Sequence, residues 1–337
     1  MLRVCVIGLD PAGNLHADAY RRDKRAQLVG VCDSNPQRLR AAASRLGAEA
    51  FGDAGEMLDA LRPDLVSVCA GDDSAAVALQ ALERECHVLC EAPPAPGAGQ
   101  TRELVTAATV RGRHLAVNFN LRFTPAALRA KRWLAEGRLG TPLFANLALW
   151  CAPEQGLCGE RTLWQLAHHG LDLTRWLCGD ITRLHCFAAR APGRAEWSSA
   201  QVNLELAAGV VGHLTVSRDM AAHHPLACCE VAGTTARLVI ENIYEEATLF
   251  PHADEEKTTY TNSIFGGLGG YDDTYHCRIS RLLEQLAGGA PAGIEGSGHD
   301  ALAAQLAVEA GLKSLETGAV VEVSAPGPTT AGATGER

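Results

Sequence analysis

The sequence predicts an α/β protein of two domains, a doubly wound parallel sheet at the N-terminus followed by an α+β domain on a large, mainly antiparallel open sheet. Three observations carry this. The chain has 337 residues, more than one core usually serves. Up to about residue 120, short β-branched runs alternate with stretches rich in alanine and leucine, the pattern of strands joined by crossover helices. Beyond that point, strand-like runs follow one another in pairs, as antiparallel neighbours do.

In order, "RVCVIG" reads as the first strand, 14–24 as a helix, "QLVGVCD" as a strand, 36–46 as a helix, "LVSVCAG" as a strand, 74–84 as a helix and "HVLCEAP" as a strand. Strands this continuously apolar fit a sheet covered on both faces, and right-handed crossovers favour the doubly wound order. Residues 1–121 form this domain. From 122 to 324, "TPLFANLALW", "ITRLHCFAAR", "SAQVNLELAAGVVGHLTVSRD", "CCEVAGTTARLVIEN" and "EATLFPH" read as strands. Turns at Ala207-Ala208-Gly209 and Gly233-Thr234-Thr235 mark hairpins, and helices are expected at about 161–178 and 273–287. The polar, Pro/Gly-rich tail 325–337 is expected to be disordered.

The composition, 47% hydrophobic and 20% charged, is that of a folded globular chain. A net charge of −9 with basic residues scattered singly leaves no footprint for nucleic acid or an anionic membrane. "MLRVCVIGLD" reaches a strand at once, without a signal cleavage pattern, and no apolar run approaches bilayer thickness, so a cytoplasmic location is expected. The twelve cysteines sit mostly inside apolar runs and read as small core residues rather than a disulfide framework. Neither Cys86 with Cys90 nor His223-His224 with Cys228-Cys229 has convincing ligand spacing, and no metal site is predicted.

The stretch "VCVIGLDPAGNLHADAY" places Gly8 at a strand end and Gly13 at a helix opening. There, backbone N–H groups and a helix N-terminus receive a pyrophosphate. Leu9, Pro11 and Ala12 complete the turn, and Asp10 stands where the G-x-G-x-x-G fingerprint has its middle glycine, adding bulk and negative charge. Asp33 ends the second strand about twenty residues on, where the fingerprint uses an acid to accept from the ribose hydroxyls. That favours NAD over NADP, while Ser34 and Arg38 are placed to meet a 2′-phosphate. The competing reading of Asp33 is a helix cap before Pro36.

Several segments, in this order and spacing, resemble the Gfo/Idh/MocA family of nicotinamide-dependent sugar and cyclitol oxidoreductases: "GLDPAGNLHADAY", "VCDSNPQR", "ALERECHVLCEAPPA", "VNFNLRFTPAA", "GRLGTPL", "LAHHGLDLTRWLCG", "VAGTTARLVIEN" and "AVEAGLKSLETGAVVEV". The resemblance covers roughly the whole chain. It implies an N-terminal Rossmann domain, a sugar or polyol substrate, and a homodimer or homotetramer formed through the C-terminal sheet. It also implies a catalytic lysine in a Glu-Lys-Pro turn and a D-x-x-x-H helix motif. Here the turn is Glu91-Ala92-Pro93 and the helix motif is Gln165-x-x-x-His169, so only the histidine is retained. Ala70 and Gly71 fall in the loop after the fourth strand where the family has Thr-Pro-Asn, whereas Asn120 and Arg122 match, and the resemblance assigns Ala70, Gly71, Glu91, Ala92 and Asn120 to the cofactor site.

On the expected helix, Gln165, His169 and Asp172 share one face at i, i+4 and i+7. His169 is assigned as base or acid, since imidazole titrates near neutral pH. Gln165 is assigned to hydrogen-bond a substrate hydroxyl, and Asp172 to orient the imidazole. Trp164 and His168 are pocket residues beside them. The competing reading is that His169 and Asp172 satisfy each other in helix packing. The glycine-rich lead "GGLGGYDDTYHCR" offers Tyr275 or Tyr271 as a hydroxyl donor, or as an aromatic under a loop. Arg122 is expected to grip a carboxylate or a cofactor phosphate, or to cap a helix end. The expectation is an NAD-dependent oxidoreductase with altered proton handling. The alternative is a family member that has lost its chemistry and serves as a binding or regulatory subunit.

Overall fold

The computed structural model describes residues 1–151, 162–220, 226–243, 245–262, 268–290 and 293–326. Most of the tail lies outside the described residues, as do 266–267 of the glycine-rich lead. The chain forms two compact units, one built from residues 1–118 and 275–302, the other from 119–274 and 303–325.

The first unit holds six strands, β1 Leu2–Ile7, β2 Ala26–Cys32, β3 Glu49–Phe51, β4 Leu65–Val68, β5 His87–Cys90 and β6 Leu115–Val117. They lie parallel in the order β3-β2-β1-β4-β5-β6. Consecutive residues of one strand serve opposite faces. Cys5, Ile7, Val66 and Val68 join a core with Leu82 and Leu104, while Val4, Val6 and Leu65 join one with Tyr20, Ile279 and Leu283. The strands read as continuously apolar because both faces are covered.

The helices of this half are α1 Pro11–Arg22, α2 Pro36–Leu46, α3 Ala54–Leu61, α4 Ser74–Glu83 and α5 Ala98–Val110. α1 starts at Pro11 rather than at 14 because Asp10 caps it, its carboxylate accepting from the Gly13 amide. In this half, β3, β6, α3 and α5 were not expected from the sequence. β3 is a three-residue edge strand, two of its residues exposed to solvent, too short for its alternation to be read.

The second unit carries β7 Pro142–Trp150, β8 Ile181–Ala189, β9 Ser199–Leu206, β10 Val211–Ser217, β11 Ala227–Gly233, β12 Ala236–Asn242, β13 Glu246–Pro251, β14 Thr258–Thr261 and β15 Val321–Glu322. They form one sheet in the order β14-β13-β12-β11-β7-β10-β9-β8-β15. β7 and β10 pair in parallel and the remaining pairs are antiparallel. The expected hairpins join β9 to β10 and β11 to β12. Helices α6 Pro125–Ala135 and α7 Leu163–Cys178 cover the sheet. A Cβ at Gly170 would lie 2.8 Å from Leu214 and 3.5 Å from Leu147, so the missing side chain lets α7 approach β7 and β10.

Helix α8, Asp272–Ala287, precedes α9, Gly298–Thr317. The sequence reading put 275–302 in the second domain, and the structure differs. Ile279, Leu282 and Leu283 of α8, and Ile294 after it, pack with Val4, Val6 and Tyr20, so this segment completes the first unit. Cys5, Cys32, Cys86, Cys90, Cys186 and Cys229 are buried thiols, and burial pushes Cys5 up to about 12; Cys151 is in a disulfide. No helix among the described residues is long and apolar enough to cross a membrane.

Candidate active site

In the first unit, the chemistry-bearing residues gather at the C-terminal ends of β1, β4, β5 and β6, where the strand order reverses. Open α/β sheets bind ligands at such a switch point. The ladder runs past the strand ends: the Cys69 amide donates to Ile7 O at 2.7 Å, Glu91 N to Val68 O at 3.1 Å and Asn118 N to Cys90 O at 2.8 Å. Each of these residues is therefore held by backbone, whatever its side chain does.

The turn after β1 requires its glycines. Gly8 has φ +86°, and a Cβ there would stand 2.1 Å from Cys69 O; one on Gly13 would stand 1.8 Å from Gly8 O. Leu9 N donates to Asp33 Oδ2 at 2.7 Å and Asn35 N to Oδ1 at 2.7 Å, which pins the buried Asp33 between the two crossover turns. Oδ1 keeps a lone pair for a ribose hydroxyl. The cap after β2 is Asn35, not Asp33. Arg38 Nε lies 3.3 Å from Asp33 Oδ2, on a half-exposed side chain, and Ser34 is exposed beside it. Asp10 Oδ1 accepts from Gly13 N at 2.8 Å, so a carboxylate sits on an amide that the fingerprint offers to phosphate. Pro11 and Ala12 form the first turn of α1. Ala70 N donates to Ser74 at 3.1 Å, and Gly71 has φ +58°.

Glu91 and Ala92 follow β5, with Ala92 buried. Around Glu91 lies a network that the sequence reading missed. His16, fully buried on α1, places Nε2 2.8 Å from Glu91 Oε1 and Nδ1 2.9 Å from Ser67 Oγ. Tyr20 OH meets the same Oγ at 2.7 Å, and Asn118 Nδ2 donates to Glu91 Oε1 at 2.6 Å. Burial pushes the Tyr20 hydroxyl far above its ordinary value, so it stays protonated. Tyr275 packs its ring edge-on to His16, 5.5 Å between centroids, and so joins this network.

In the second unit, α7 opens with a capping box in which Thr162 accepts from Gln165 N at 3.3 Å and Gln165 Oε1 accepts from Thr162 N at 2.7 Å. Gln165 was expected to meet a substrate hydroxyl. Its amide oxygen is instead committed to the helix start. His168 is fully buried and stacks on Phe119 at 5.2 Å, and His169, 6% exposed, meets the same ring edge-on at 5.9 Å. Asp172 and Arg122 form a buried two-pronged ion pair, Nε to Oδ2 at 2.6 Å and Nη2 to Oδ1. Arg122 also lies over Phe119 and Trp176. Its fork, expected to take a ligand's carboxylate or phosphate, faces Asp172. Asn120, expected at the cofactor, donates to Thr274 Oγ1 at 2.7 Å. Trp164 is half-buried on α7.

Residues 2–119 match the model of the oxidoreductase family with an NAD-binding Rossmann fold, and 127–239 match the GFO/IDH/MocA C-terminal domain. Inositol 2-dehydrogenase 4 of Saccharopolyspora erythraea is 30% identical over 94% of this chain and 94% of its own. The chain belongs to the Gfo/Idh/MocA family. A second relative, myo-inositol 2-dehydrogenase of Thermotoga maritima, is 24% identical over 94% of this chain and 96% of its own. Levoglucosan dehydrogenase, solved in complex with NADH and levoglucosan, shares the fold with a TM-score of 0.85, 21% identity and coverage of 96% of this chain and 99% of that one. As a member of this family the protein is an oxidoreductase whose first unit is an NAD-binding Rossmann domain. Gly8, Gly13 and Asp33 fit that cofactor. Asp10 is the local misfit.

Proposed function

We propose that the protein transfers hydride between NAD and a hydroxyl-bearing carbon of a sugar, sugar acid or cyclitol, with His169 holding the proton. The observation that supports this best is the pinned Asp33 carboxylate beside the Gly8–Gly13 turn, joined to whole-length similarity to an inositol dehydrogenase. Bound NAD supplies the hydride acceptor. Removing hydride from an alcohol carbon also releases the hydroxyl proton, which needs a base in reach. Ala92 cannot take it, and the Gln165 amide neither takes protons nor leaves its oxygen free of the cap. His169 remains, edge-on to Phe119 and slightly exposed. Arg122 and Asp172 fix the part of α7 that presents it.

The test measures NAD and NADH binding, then turnover on a panel of polyols and aldoses. Binding lost in Asp33→Ala, with turnover reduced about 10²- to 10⁴-fold in His169→Ala, supports the proposal. Equal turnover in His169→Ala refutes the proton role. Saturable sugar binding without turnover favours the second reading, a binding or regulatory subunit, for which Ala92, the committed Gln165 and Asp10 on the Gly13 amide speak. We further propose a homodimer or homotetramer through the second unit's sheet, where Leu143, Phe144, Phe187 and Val211 are exposed. Light scattering that returns a monomer sinks that assembly.

A further inference from the structure

The carboxyl edge of the first sheet holds a set of metal donors for which the hydride reading has no metal. His16, Cys69 and Glu91 follow three neighbouring strands, β1, β4 and β5. Their ligand atoms all lie within 4.8 Å of one another. One imidazole nitrogen, one thiol sulfur and one carboxylate suit a borderline-soft divalent ion. Three protein ligands with a fourth position open to oxygen is the arrangement of a catalytic zinc.

The surroundings also match a metal site. Metal-binding imidazoles are oriented through their other nitrogen, and ligating carboxylates are themselves hydrogen-bonded. Here His16 Nδ1 is held by Ser67 and, through it, Tyr20, which aims Nε2 at Glu91. Asn118 holds Glu91 Oε1. The 2.8 Å contact between Nε2 and Oε1 encloses one proton. Bond lengths of about 2.0–2.3 Å in a tetrahedron separate ligand atoms by roughly 3.3–3.8 Å, so a metal ion that takes the proton's place needs this pair to open by only about half an ångström.

We propose that His16 Nε2, Cys69 Sγ and the Glu91 carboxylate bind zinc and leave its fourth position to a substrate oxygen. The site is one residue from Ala92, and the ion supplies the electropositive group that the family resemblance assigns to lysine. Occupancy stands on the donor set alone, whereas the catalytic role rests on the dehydrogenase reading. In that role the alcohol oxygen binds zinc and its O–H bond breaks, the proton passing to a base. The C–H bond then breaks with both electrons going to NAD⁺, giving a carbonyl and NADH.

The full-length protein is assayed for metal as purified, stripped with a chelator, and titrated with Zn²⁺ by calorimetry and with Co²⁺ by absorption. One equivalent should bind, and the cobalt form should show a thiolate-to-metal band in the near ultraviolet. Cys69→Ser should abolish the band, Glu91→Gln should weaken binding and shift the band, and Asn118→Ala should cost about 10- to 100-fold in affinity. Cys228→Ser, which changes a partly exposed thiol, should leave the band unchanged. Absence of a bound equivalent, or a band that survives Cys69→Ser, overturns the site. If Cys69→Ser fails to fold by circular dichroism, the Glu91→Gln shift decides. NADH fluorescence on stripped and loaded protein separates the two readings. Zinc without NADH binding keeps the site and removes its catalytic role, and NADH without zinc overturns the site and leaves the dehydrogenase reading standing.

Discussion

Asp10→Asn isolates the charge at the pyrophosphate turn. Asparagine caps a helix as well as aspartate does, so α1 keeps its start while the carboxylate loses its charge. In the native turn Asp10 Oδ1 lies 2.8 Å from Gly13 N. A phosphate oxygen hydrogen-bonded to that same nitrogen, at about 3 Å, stands within about 6 Å of the carboxylate. At about 5 Å, two unit charges repel by roughly 0.8 kcal/mol in bulk water and 3 kcal/mol at the effective dielectric of a protein surface. The variant should therefore bind NADH about 4- to 160-fold more tightly, with its melting temperature unchanged. The assay is NADH fluorescence titration at low and high salt, and the gain should shrink at high salt as screening replaces the substitution. Unchanged or weaker binding by a variant with native circular dichroism would show that the carboxylate does not oppose the phosphates.

Two further substitutions test the packing of the site. Asp172→Ala strands the Arg122 guanidinium, with both partners almost wholly buried, and should cost about 3–5 kcal/mol in urea unfolding; Arg122→Met with Asp172→Leu should recover most of it, and a single-variant loss below about 1 kcal/mol would sink the buried-pair account. His87 sits at the opposite end of β5, where burial first, and then His114 and Arg113, lower it to about 4, while its Nδ1 accepts from His114 N at 3.0 Å and so requires a neutral ring. Because the unfolded chain binds that proton from about pH 6.5 downward and the folded chain only near pH 4, stability should fall as pH drops through this window. Thermal melts of His87→Gln should show a smaller fall, and an identical pH profile would exclude His87 as its source.

What the sequence revealed follows from how local each requirement is. Gly8, Gly13 and Asp33 are legible because a tight turn and a strand end demand them at short, fixed spacing. The α7 histidine face is legible because helical periodicity places Gln165, His169 and Asp172 together. What Gln165 and Asp172 do there was not legible. Gln165 serves its own helix start, and Asp172 answers Arg122 from a distant segment. The His16 network was hidden for the same reason, since Ser67, Glu91 and Asn118 meet His16 only once β4, β5 and β6 are laid side by side.

The apolar stripe of α8 sets a timetable for biogenesis. Ile279, Leu282 and Leu283 finish a core begun by Val4, Val6 and Tyr20, yet they leave the ribosome only after the strands between residues 142 and 261 have been made. At about 5–20 residues per second, the nascent nucleotide-binding half waits roughly ten to thirty-five seconds with α1 and α2 on that face of its sheet and the part that α8 covers still bare. Amino-terminal folding cannot run to completion ahead of translation, and a fragment cut at residue 121 would carry that exposed surface permanently. Expression of such a fragment should call on chaperones that the whole chain needs only in passing.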